Sequence, residues 1–233
     1  MNDITPLHGL AMVLLLSCWF AYPIILKLFG IGPLNSQLVT ARRQWIHEMA
    51  HRPGKPFDAV LLGHIVHSVA FFGSATLIVL AGIFSVVVKL DGIHKTLTGI
   101  DFIQPVSLEL FILEYALLTG VFTLCFFSFT YALRKLLYSI ALIGALPESP
   151  NEVVDFDDLV DDTTTVITEA LKTFTFGIRG YYYAIASICL FISPMFCITA
   201  TLIATSVLVF RQVRTPTSRA IARYIEKTEQ RLK

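Results

Sequence analysis

Charge is what this sequence has least of. Only 15% of its 233 residues are Asp, Glu, Lys or Arg, against about a quarter in a soluble domain. Acids and bases nearly cancel to a net +1, and no basic stripe interleaved with aromatics appears, which argues against a nucleic-acid partner. Cysteine is scarce too. The four present, Cys18, Cys125, Cys189 and Cys197, lie in apolar runs and form no CxxC, so neither a disulfide framework nor a thiolate metal site is indicated. GxxxxGK[ST], GxGxxG and GxSxG are all missing, which leaves nucleotide and hydrolase chemistry without support.

What the chain has instead is long apolar runs. It is 55% hydrophobic with a mean hydropathy of +0.70, and about 20 apolar residues suffice to cross a bilayer. Four spans are read, at about 7–29, 59–88, 108–134 and 180–210. The first carries a kink at Pro23 and lacks the basic n-region and small-residue cleavage site of a secretory signal, so it is expected to be retained. The third has the apolarity to continue as helix past Arg134 and Lys135 to Leu146. The fourth contains Pro194 and opens on Tyr181, Tyr182 and Tyr183, residues suited to the headgroup zone. Long runs without strand-like alternation satisfy their backbones as helices. The expected fold is an all-α polytopic membrane protein: one membrane domain over residues 1–233, with four transmembrane helices and interfacial amphipathic helices.

The segments between spans carry the charge. Residues 38–51 set Leu38, Val39, Trp45, Ile46, Met49 and Ala50 on one side of a helix, with Arg42, Arg43, His47 and His51 among its polar positions, the pattern of a helix lying in the interface. Arg42, Arg43 and Trp45 are therefore read as interface anchors, with Tyr181, Tyr182 and Tyr183. An acidic loop (147–162) leads into a helix expected to begin near Asp162. It lacks the Gly and Glu spacing of a calcium loop. The tail, 211–233, reads as a basic amphipathic helix. With four crossings the Lys and Arg residues divide nine to nine between the two faces. The basic residues following the first span then favour both termini outside and the larger loops in the cytoplasm.

"ARRQWIHEM" (41–49), "SVAFFGSATLIVLAG" (68–82), "FFSFTYALRKLLYSIALIGALP" (126–147) and "RGYYYAIASICLFISP" (179–194) together resemble a bacterial membrane family catalogued as domain of unknown function 599. The resemblance runs over nearly the whole chain. It implies a multi-pass fold in the bacterial cytoplasmic (inner) membrane and no particular activity.

Three constellations carry chemistry. His47-Glu48-Met49-Ala50-His51 spells HExxH, a zinc-protease pattern. The Asp91 of Leu90-Asp91-Gly92, which would be its third ligand, follows the second span whereas His51 precedes it, placing roughly 30 Å of hydrocarbon between them. His64 and His67, at i and i+3 in the second span, remain able to join His47 and His51 around a metal. A haem between His8 and either of them is disfavoured, because His8 starts the first span on the other face. Among intramembrane charges, Glu114 is the deepest, beyond Glu109, with Arg134 at the far end of the same span; such groups are functional candidates. Here the preferred reading is a carboxylate reaching the interface.

The leading expectation is a non-catalytic accessory or assembly subunit of a larger membrane complex, of respiratory or photosynthetic kind, with no enzyme activity and no cofactor. Its partners would be other integral membrane subunits, lipids and further copies of itself. The alternatives left open are a small transporter or channel using Glu114, and a metal-dependent membrane enzyme using His47, Glu48, His51 and His64.

Overall fold

A computed structural model describes residues 6–28, 34–52, 56–147 and 154–232. These residues form helices and no strand. The helices are α1 (Pro6–Phe20), α2 (Tyr22–Leu28), α3 (Leu34–Gln37), α4 (Val39–His51), α5 (Pro56–Val86), α6 (Leu90–Thr98), α7 (Leu108–Gly144), α8 (Phe156–Leu190), α9 (Pro194–Val213) and α10 (Pro216–Leu232). The helices containing Pro56–Thr98, Leu108–Gly144 and Pro194–Thr228 are long and apolar enough to cross a membrane. A fourth candidate is α1 with α2, bent by 71° at Ala21. Pro23, two residues beyond the break, has no N–H to return to the preceding turn, in keeping with the kink expected there.

Contacts gather the chain into two compact units. The first takes in α1, α2, residues 74–127 and residues 176–210. Its buried positions on α1 are His8, Ala11, Leu15 and Trp19. On α7 they are Leu110, Glu114, Leu118, Val121 and Cys125, the three-four spacing of a helix seam. The last part of α8 is enclosed on several sides. Trp19 of α1 stacks on Phe176 with centroids 4.9 Å apart, and its indole N–H donates to the Phe176 carbonyl at 3.3 Å. Tyr181 shares a 2.5 Å hydrogen bond with Thr76 of α5, and Tyr183 a 3.1 Å bond with Thr205 of α9. Gly180 faces Cys125 of α7.

The second unit takes in α3, α4, α5 up to Gly73, residues 128–144 of α7, residues 156–175 of α8, and the chain from Arg211. Ile46, Met49 and Ala50 of α4 join Leu62 and Val69 of α5, Ala132, Leu136 and Ile143 of α7, and Val160, Ile167 and Ala170 of α8 in one apolar core. The apolar stripe expected on α4 is there, and it is covered by protein. Arg43 binds Asp161 and, at 2.8 Å, Asp157 of α8; the hydrogen bond to Asp161 and the nearby negative charges hold the guanidinium proton more tightly than usual. Contacts of α10 are with α3 and α4.

Asp58, only 2% exposed, fastens the start of α5 to α4. It accepts from Trp45 Nε1 at 2.7 Å and from Arg52 at 3.4 Å. Removing the carboxylate leaves the indole N–H without its acceptor, at a cost of about 1–3 kcal/mol. Asp58→Ala is therefore expected to lower the melting temperature in detergent, and Asp58→Asn, which keeps a carbonyl acceptor, to lower it less.

Two boundaries differ from the sequence reading. The run 180–210 is not one helix: α8 ends at Leu190 and α9 begins at Pro194. Pro194 cannot continue an incoming helix but suits the first position of a new one, and Ser193 Oγ accepts from the Met195 N–H at 3.3 Å. α8 also reaches back to Phe156, with Asp157 and Asp158 in its first turn, where acids favour the positive end of the helix.

Candidate functional site

The deepest charge in the first unit is not isolated. Glu114 of α7 and His8 of α1 occupy seam positions of their helices, 1% exposed each, with Nε2 and Oε1 3.8 Å apart. Both carboxylate oxygens of Glu114 are buried without a hydrogen-bond partner among the described residues. The expectation that Glu114 reaches the interface is corrected: its helix turns it inward, to a neighbouring imidazole. Cys197 of α9 is also fully buried.

From this pair a line of polar side chains follows α8 and α9. Arg179, Tyr183 and Ser187 recur every four residues on α8, so they share a face; on α9 the same spacing aligns Cys197, Thr201 and Thr205. Tyr183, Ser187, Cys197 and Thr201 are all 0% exposed. The Tyr183 hydroxyl donates to the Cys18 carbonyl at 3.1 Å and meets Thr205, whereas Ser187 Oγ has no partner among the described residues. Buried polar atoms without partners are rare in proteins and point to an ion, a proton or water. Further along, the Arg179 guanidinium lies over the rings of Tyr22 (4.7 Å) and Phe176 (5.8 Å).

The structure gives the tyrosine triplet helix partners. Tyr181, Tyr182 and Tyr183 lie within α8, seven to nine residues short of its end, and the hydroxyls of Tyr181 and Tyr183 bond to Thr76, Thr205 and Cys18. Arg134 is exposed on α7, which continues well past it. Its neighbour Lys135 donates to Thr173 Oγ1 at 2.9 Å.

The histidines are held by other contacts. The rings of His47 and His51 lie 4.7 Å apart and both meet Phe156 edge-on, at 5.4 and 5.5 Å. His51 Nδ1 donates to the His47 carbonyl at 2.8 Å, which commits that nitrogen. His64 and His67 are exposed. His64 lines a shallow groove of about 380 Å³ with Trp45, Leu61, Ile65 and Ser68. Among the described residues no three His, Cys, Asp or Glu side chains converge on a metal-sized space, so the four-histidine centre and the His47–Glu48–His51–His64 set are not assembled. Asp91 of the Leu-Asp-Gly triplet is paired at 2.7 Å with Lys95 on α6.

Sequence reasoning found Glu114, weighed its neighbour His8 only as a haem ligand, and singled out neither Arg179 nor Ser187. The usable signal was register. His8 falls in step with Ala11, Leu15 and Trp19, and Glu114 with Leu118, Val121 and Cys125.

Together these features define an all-helical, multi-pass membrane protein with a polar line buried among its helices. The chain belongs to the DUF599 family, a family of proteins of unknown function, whose model matches residues 10–217. No curated protein and no solved structure matches it.

Proposed function

We propose that this protein moves protons across a membrane as a small transporter, with the His8–Glu114 pair as its proton-exchanging group. One observation carries the reading: a carboxylate with two unsatisfied oxygens, buried among membrane helices 3.8 Å from an imidazole. In water an imidazole exchanges its proton near neutrality and a carboxylate about two pH units lower, and an acid–histidine arrangement inside membrane helices is a recurrent proton relay. The broken helix α1–α2 adds to it, because interrupted helices build the central sites of secondary transporters. Proton influx into proteoliposomes carrying an internal pH dye, under an imposed pH gradient with valinomycin and potassium, tests the reading. Wild-type protein is expected to dissipate the gradient at least tenfold faster than Glu114→Gln, whose rate matches protein-free vesicles. A wild-type rate equal to that of empty vesicles overturns the proposal.

α8 is the helix that hydropathy passes over. Its last part is surrounded by α1, α5, α7 and α9, so its polar residues meet protein and not lipid. We read it as a further crossing, with the cytoplasmic membrane of a bacterium as the expected location.

A second reading, an accessory or assembly subunit of a larger membrane complex, is favoured by how little of the lipid-length helices this chain covers. In the most apolar windows of the α5 and α9 helices only 11% of residues are buried. Such surfaces accept lipid or the helices of other subunits. Co-purification of stoichiometric membrane partners in mild detergent would favour it.

A further inference from the structure

Arg179 is a partly buried cation with no carboxylate paired to it among the described residues. It lies eleven residues before the end of α8, about 16 Å along the helix axis; with α8 read as a crossing, that is near the middle of a hydrocarbon core roughly 30 Å thick. Its Nε is buried and finds no acceptor among the described residues. What it does have is aromatic: the Tyr22 ring at 4.7 Å and the Phe176 ring at 5.8 Å. Trp19 and Phe20 close up around Phe176, at 4.9 and 5.5 Å. Ring faces attract a guanidinium but do not neutralise it, and a charged side chain at this depth is retained where it pairs or serves a pathway.

The backbone next to it is interrupted. α1 stops at Phe20, α2 starts at Tyr22, and the two helices diverge by 71°. Irregular backbone at membrane depth is tolerated where it is buried in protein or lines a cavity, and discontinuous helices of this kind hold the substrate in secondary transporters. The ring beneath the guanidinium, Tyr22, is the first residue after the break. A guanidinium whose Nε lacks an acceptor among the described residues, a wall of aromatic rings and a helix break therefore coincide.

We propose that Arg179 is the anion-binding residue of a mid-membrane substrate site at the α1–α2 break, and that its substrate is a small organic carboxylate with an apolar body. The carboxylate suits the guanidinium because two parallel N–H···O bonds match its planar geometry. The apolar body suits the accessible rings of Phe20 and Phe176. Lipid phosphate is excluded by depth, since headgroups lie outside the hydrocarbon core. The inference rests on the transport reading above and supplies its cargo: one carboxylate accompanied by one proton on the His8–Glu114 pair crosses without net charge.

Equilibrium dialysis of radiolabelled benzoate against the purified full chain in detergent tests it. Saturable binding of one benzoate per chain is expected, weakened at least tenfold in Arg179→Gln and to a lesser degree in Arg179→Lys, which keeps the charge and loses the fork. Binding is expected to persist in Glu114→Gln. Absence of saturable binding to the wild type overturns the inference whatever the variants do, and so does unchanged binding by a folded Arg179→Gln. Inorganic phosphate displacing benzoate at equal concentration overturns the carboxylate assignment. Proton flux without benzoate binding removes this inference alone; benzoate binding without proton flux removes the transport reading alone.

Discussion

Gly180→Ala is expected to abolish most of the folded protein recovered from membranes. A Cβ at this position would overlap Cys125 Sγ and stand 2.8 Å from Cζ2 and 3.3 Å from Cε2 of Trp19. The Cys125 thiol has rotamers to escape into, but the indole does not. Trp19 is 0% exposed, stacked on Phe176 and hydrogen-bonded to its carbonyl. α1 and α8 must therefore move apart, and overpacking of a closely fitted core costs about 1–3 kcal/mol and occasionally more, against a gain near 1 kcal/mol from better helix propensity; two clashes at one position put this case at the upper end. Melting in detergent, followed by the fraction remaining monodisperse, checks this. Gly180→Ala/Cys125→Ala is expected to recover only part of the loss, because Trp19 remains. Gly82→Ala is the matched control. Nothing lies within 4 Å of its added methyl, so it should melt no lower than wild type. Equal melting for Gly180→Ala would show that α1 and α8 do not approach so closely.

Asp101→Cys and Thr217→Cys are expected to label from opposite sides of the membrane. Both positions are exposed, one between α6 and α7 and the other on α10. With four crossings they would share a side; α8 as a further crossing separates them. The charge balance supports that count. With four crossings the Lys and Arg residues tie, but with α8 crossing, fifteen of the eighteen flank the face that carries α4 and α10. Two, Lys89 and Lys95, flank the other, and Arg179 lies within the membrane. Such an excess sets orientation by the positive-inside rule. A membrane-impermeant maleimide applied to intact cells should then modify Asp101→Cys in full and Thr217→Cys only after permeabilisation. Identical labelling of the two would remove α8 as a crossing.

Helices that face lipid were legible in the sequence, because lipid selects for unbroken apolarity. α5 and α7 begin within three residues of where their runs predict, and the α1–α2 bend falls beside Pro23. α8 was not legible for the same reason. Its last part faces other helices, so no pressure keeps Arg179 out of it, and only its final residues read as a span. Those residues then merged with α9 across Ser193-Pro194. The apolar stripe of α4 was readable, but a stripe does not say what covers it, and the answer was Val160 and Leu136 as much as any membrane. HExxH misled because a four-residue spacing records one turn of helix whether or not a metal is present. His47 and His51 use that turn to pack on Phe156. Glu114 stood out by charge alone; its partner required knowing which face of α1 turns inward.

The enclosed helix α8 also bears on how the protein is made. A segment carrying Arg179 midway, with Glu169 and Lys172 only a few turns earlier, partitions poorly from a translocon into bare lipid, where an arginine near a helix centre costs about 2.5–3.5 kcal/mol. By the time α8 leaves the ribosome, α1, α5 and α7 have already been synthesised, and Trp19, Thr76 and Cys125 offer it a surface that lipid does not. Its insertion is then a docking event, dependent on earlier helices waiting at the exit. Lesions in α1 or α5 should surface as a biogenesis defect in a helix synthesised well after them.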